Sequence, residues 1–131
     1  MSQENVEIVR RIIDATRRGD WGAALRDYDQ GVILDQSRMP GGGVYRGHEG
    51  LREFYGRWFG AWEHFRIKPE RVIDAGDEVV DINETSGRGR SSGVAVKMRS
   101  ANVWTITRGK VVRQVAFPVA SDALEAAGLS E

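Results

Sequence analysis

Residues 51–75 read LREFYGRWFGAWEHFRIKPERVIDA. In the first half Leu51, Phe54, Tyr55, Trp58, Phe59 and Trp62 recur at the spacing of one helix face. Beyond Trp62 the period falls from about 3.6 to 2, the alternation of a strand, with Arg71-Val72-Ile73 as its apolar part. A helix over 48–62 that gives way to a strand within 65–75 divides the chain into two halves of different character.

Upstream the pattern is helical. Val6, Val9, Ile12 and Ile13 mark one face of a helix over 4–18, and Gly19 stands where a helix C-terminus favours glycine. Asp20 is placed to cap a second, short helix over 21–28, after which Val32–Gln36 reads as a strand and 39–47 as a Pro- and Gly-rich loop. Downstream the chain is a meander: strands over 78–86, 94–107 and 110–118, a tight turn at Gly76-Asp77, a Gly- and Arg-rich bend over 87–93, and a small terminal helix over 120–128. Helices followed by a run of strands imply an α+β fold, with one curved antiparallel sheet covering three helices. No repeat or linker interrupts 1–131, so a single domain is expected.

The segments NVEIVRRIIDATRRGDWGAALRDYD (5–29), VYRGHEGLREFYGRWFGAWEHF (44–65), VIDAGDEVV (72–80) and VWTITRGKVVRQVAFPVASDALEAAG (103–128) resemble the SnoaL-like and ketosteroid-isomerase-like branch of the nuclear transport factor 2-like superfamily. The resemblance implies a cone, a cystatin-like α+β barrel whose bent sheet wraps the helices around an apolar pocket. It also implies a homodimer formed through the outer sheet face. Val103, Thr105, Val111, Val115 and Phe117 are read as that face, since no helix is left to cover them. The superfamily hosts isomerases, cyclases, dehydratases and non-catalytic carriers, so fold alone leaves activity open.

Strand alternation sorts the candidate pocket residues. By the resemblance Asn102, Trp104 and Ile106 face inward, with Gln114, Ala116 and Pro118 on the last strand and Gln36 at the end of the first. On the middle strand the inward set is read as Val80, Ile82, Glu84 and Ser86. A ketosteroid isomerase needs a carboxylate base and two oxyanion donors. By position these roles fall on Gln36, Ile12 and Asn102: an amide without useful basicity, an alkyl group, and a weaker donor than an acid. The usual isomerase design is therefore absent.

Two carboxylates stand as replacements. Asp35 is adjacent to the base position and turns inward if a bulge shifts the register. Glu84, on the expected cavity face, pairs there with Asn102 as base and oxyanion donor. The competing readings are structural: Asp35 accepts backbone hydrogen bonds in the following loop, and Glu84 pairs with a nearby arginine. Asn102 and Gln114 are either a polar anchor for a ligand or a mutually satisfied pair. Tyr55 and Trp58 are either core or ligand wall, and Trp104 is read as wall.

Composition narrows the partners. The sequence holds 19 basic and 19 acidic side chains for a net charge of zero, which disfavours nucleic-acid and anionic-membrane partners. It contains no cysteine, and His48 and His64 have no partner at metal-ligand spacing, so neither metal nor cofactor is expected. No apolar run reaches the ~20 residues that span a bilayer, and a polar N-terminus makes the cytoplasm the expected location. Two functional classes remain: a cofactor-free proton-transfer enzyme of the isomerase, cyclase or dehydratase type acting on a small apolar molecule, or a non-catalytic binding or dimeric structural module.

Overall fold

The computed structural model describes residues 2–129. Helix α1 (Ser2–Arg17) buries Val9 and Ile12 and ends where Gly19 takes a φ of +71°, a left-handed conformation that glycine adopts without steric cost. Asp20 then accepts the Ala23 N–H at 3.1 Å and starts α2 (Trp21–Arg26). The chain continues through β1 (Tyr28–Asp35), β2 (Val44–Arg46), α3 (Gly47–Gly60), β3 (Trp62–Ala75), β4 (Glu78–Gly89), β5 (Ala95–Thr107), β6 (Lys110–Phe117) and α4 (Ala120–Ala126). No helix among the described residues is long and apolar enough to cross a membrane.

The strands form one six-stranded sheet in the order β2-β1-β6-β5-β4-β3. The expected four-strand meander is present as β3–β6. Tyr28, expected to end the second helix, instead opens β1, and Trp62, expected to end the third, opens β3. Two differences concern strand pairing. Val44–Arg46, expected as loop, pairs with β1 as a short edge strand, and β1 runs parallel to β6 within an otherwise antiparallel sheet. Both follow from tertiary placement: α3 carries the chain away from β1, and the sheet must bring β6 back beside it.

Helices α1 to α3 pack on the concave face, where Ile12, Leu34, Leu51, Val79, Trp104 and Val111 belong to one buried cluster. A second cluster occupies the opposite face. There α4 sets Ala120, Ala123 and Leu124 on Val80, Ile82, Val103, Val115 and Phe117. This corrects the expected bare outer face: Val103, Val115 and Phe117 are covered within the same chain. Thr105 hydrogen-bonds Glu78. Val111 lies on the inner side because the β5–β6 register shifts between Thr105 and Ile106, which reverses the facing of residues beyond it.

Beyond α4 the outer surface is charged, and Arg99 there pairs with Glu70 at 3.0 Å. The register places Arg66, Lys68, Lys97 and Arg99 around Glu84, all on the convex side. The apolar patch formed by Val103, Val115 and Phe117 is thus covered by α4, and it is not the bare face that the sequence reading assigned to a partner.

Leu124 is 2% exposed beneath this cap. Leu124→Ala is expected to cost about 2–4 kcal/mol, read as a lower denaturant midpoint. The loosened cap should also expose Val103 and Phe117, so sedimentation velocity is expected to show more concentration-dependent association in the variant than in the parent.

Candidate active site

Between the concave sheet and the helices lies a cavity of about 360 Å³. Its polar floor is built by cross-strand pairing. Asp81 on β4 faces Asn102 on β5, Asn83 faces Ser100, and Trp104 faces Gln114 on β6. Directly opposed residues share a face of the sheet, so the strands deliver these side chains together. Ile12, Ile13 and Thr16 of α1 make one wall. Phe54, Tyr55, Trp58 and Phe59 of α3, with Trp62 and Phe65 of β3, make the other.

The aromatic wall is continuous. Phe54 stacks on Trp58 with ring centroids 6.1 Å apart and planes 14° from parallel, and Phe65 meets Phe59 edge-on at 4.9 Å. A flat apolar ring system finds faces and edges here at low entropic cost, because the rings already hold one another. The Trp62 indole N–H is buried at this end without a partner among the described residues.

Asp81 organises the floor. It is 1% exposed, its Oδ1 accepts Trp104 Nε1–H at 2.6 Å, and its Oδ2 accepts Asn83 Nδ2–H at 2.7 Å. Burial pushes its carboxyl pKa up, while hydrogen bonds from Trp104, Asn83 and Asn102 pull the other way without cancelling that rise. A carboxylate that only accepts fixes the amides beyond it. With its NH₂ turned to Asp81, Asn102 offers Oδ1 to Gln114 Nε2 at 3.3 Å, and Gln114 offers Oε1 to the Tyr28 hydroxyl at 2.6 Å. Tyr55 joins the same chain through Tyr28 and Gln114, and burial raises the pKa of both phenols.

The candidates named from sequence divide cleanly. Gln36, Tyr55, Trp58, Asn102, Trp104 and Gln114 all line the cavity. Asp35 and Glu84 do not. Glu84 sits on the convex side, opposite Arg99 and 4.0 Å from Lys97, and the inward residues of β4 are Val79, Asp81, Asn83 and Thr85. The expected set was wrong by one residue because β4 is buried on both faces. Val80 and Ile82 look like core and are core, but in the layer under α4. Asp81 and Asn83 were missed for the same reason. A usable signal was present: a lone carboxylate inside the apolar run Val-Val-Asp-Ile at 79–82 has to be either paired or functional.

The rim is formed by Gln36 and by Met39 to Gly42. This glycine-rich segment is pinned rather than loose: Gln36 N–H donates to Gly43 O at 2.7 Å and Gly42 N–H to Met39 O at 3.0 Å. A side chain at Gly42 would place Cβ 1.6 Å from Gln36 O, so the close return of the loop requires glycine. Neither histidine lines the cavity, and among the described residues no group of three or more His, Cys, Asp and Glu is arranged to hold a metal ion.

Asp35 terminates β1 on the other side of the sheet. Its Oδ1 accepts Ser37 Oγ–H at 2.6 Å and Ser37 N–H at 2.9 Å, and its Oδ2 lies 3.6 Å from Arg38 and 3.5 Å from Arg113. The Ser37 hydrogen bonds hold its pKa below the ordinary carboxylate value, against the effect of burial. A depressed folded pKa contributes stability above the unfolded value and loses it as the pH falls through the folded one. Asp35→Asn is therefore expected to be less stable than the parent near neutrality, with the gap closing in denaturant titrations below about pH 4.

Residues 9–114 match the SnoaL-like domain family. Among solved structures, an NTF2-like protein from Burkholderia thailandensis E264 shares 27% identity over 90% of this chain and 95% of that one, at a TM-score of 0.81. TerC, co-crystallized with polyporic acid, shares 22% identity over 95% of this chain and 98% of its own, at 0.79. A hypothetical protein with a ketosteroid isomerase-like fold from Catenulispora acidiphila DSM 44928, in complex with trimethylamine, shares 16% identity over 94% and 93%, at 0.76. No curated protein matches the chain. With the cone, the inner helices and a family match running from α1 to β6, the chain belongs to the SnoaL-like domain family.

Proposed function

We propose that this protein binds a small, flat, largely apolar molecule carrying a carbonyl or hydroxyl oxygen, and moves a proton on it with Asp81. The observation that carries the reading is a buried carboxylate on the polar floor of a cavity whose walls are aromatic and aliphatic. A volume of about 360 Å³ falls at the small end of the ~300–1,000 Å³ usual for ligand pockets. A carboxyl group whose pKa is raised by burial is better matched to acid–base work near neutrality than a solvated one.

The residues allot the roles. Asp81 takes a proton from a carbon or oxygen of the bound molecule, and the charge left behind moves to the ligand oxygen. One N–H of Asn102 serves Asp81, which leaves its second for that oxygen. Trp58 and Trp104 hold the ring system. TerC, a structural neighbour co-crystallized with polyporic acid, supports a flat ring compound as the ligand class to test. Asp35 and Glu84 take no part.

A second reading, binding without chemistry, is favoured by the donors that already surround Asp81, since a carboxylate so occupied can serve as a fixed acceptor. One experiment separates the two. The bicyclic ketone α-tetralone has an acidic C–H beside its carbonyl, and its exchange with D₂O is followed by NMR. The parent is expected to bind it and accelerate exchange. Asp81→Asn should lower that acceleration about 100-fold or more while affinity changes less than about tenfold. Trp58→Ala should weaken binding itself. Binding without accelerated exchange supports the second reading, and absence of binding removes both.

A further inference from the structure

A second cavity of about 330 Å³ opens between α2 and α3 on the far side of Tyr55. Trp21, Leu25, Tyr28 and Leu51 supply apolar lining, and Tyr55 is the residue that borders both cavities. The Tyr28 hydroxyl is turned away to Gln114, so the ring rather than the oxygen meets this space. Gly56 interrupts the helix wall, and a Cβ built there meets no atom within 4 Å. Glycine is a poor choice for a helix interior. Here its effect is to keep the pocket open.

Arg52 is the sole charged residue in the lining. It is exposed, and among the described residues no carboxylate lies within 4.0 Å of it. An apolar pocket with one unpaired guanidinium in its wall matches a molecule with an apolar tail and a single anionic head. We infer that the α2–α3 cavity is a second binding site, which takes a small apolar monocarboxylate with its tail against Trp21, Leu25 and Tyr55 and its carboxylate on Arg52. The inference stands apart from any role of the larger cavity.

Isothermal titration with hexanoate, octanoate, decanoate and decanol tests it. The carboxylates are expected to bind with affinity rising about fourfold per methylene until the pocket is full, the ratio that ~0.8 kcal/mol per buried CH₂ gives. Decanol, and decanoate on Arg52→Gln, should each bind about tenfold more weakly or worse. Gly56→Leu projects a side chain from a position whose Cβ meets no atom within 4 Å and replaces a poor helix former, so it should fold and abolish binding. Trp58→Ala, which alters the larger cavity, should leave decanoate affinity unchanged. The proposal is overturned by absence of binding for the whole series, by equal affinity for decanol and decanoate, by binding that survives Gly56→Leu, or by binding that is lost in Trp58→Ala.

Discussion

The pairing of Asp81 with Asn102 across β4 and β5 is the constraint on which the cavity rests. It determines which side chains of two long strands face inward. It also brings a carboxylate into contact with the amide and indole donors able to compensate its burial. A buried anion left alone would cost several kcal/mol. Hydrogen bonds to charged groups return ~1.5–3 kcal/mol each, so Asp81 is tolerable only in this register. A slip by one residue would put Asp81 under α4 and Ile82 on the cavity floor. The apolar residues of β4 allow either choice; the polar ones allow one.

Once Asp81 is in place, direction propagates. An acceptor-only group at one end orients Asn102, which orients Gln114, which in turn holds the Tyr28 hydroxyl. The floor thus presents a defined sequence of donors and acceptors rather than a set of freely rotating amides. Preorganisation of this kind is what a site needs in order to stabilise charge without rearranging. The aromatic wall contributes rigidity from the other side, through rings that support one another before any ligand arrives.

The two faces of the sheet carry different tasks, and α4 makes the division. It covers the apolar half of the convex face and leaves the charged half around Glu84 uncovered within the chain. Glu84 and Asp81 are carboxylates three residues apart on one strand. One is half-exposed beside Lys97 and the other is sealed among hydrogen-bond donors, and facing alone accounts for the difference.

Much was determined by sequence alone. The change of period at Trp62, the capping Asp20 and the glycines at turns specify element type and order by local rules, and those rules act within a few residues. The facing of β5 and β6 was also legible, so Asn102, Trp104 and Gln114 were found. What only tertiary structure decided was the parity of β4, the inversion of Val111 past the β5–β6 irregularity, the parallel return of β6 beside β1, and the use of α4 as a cover. Each depends on contacts between segments distant in the chain. A strand buried on both sides loses the alternation that would announce its inner face, and Asp81 stands where that alternation is silent.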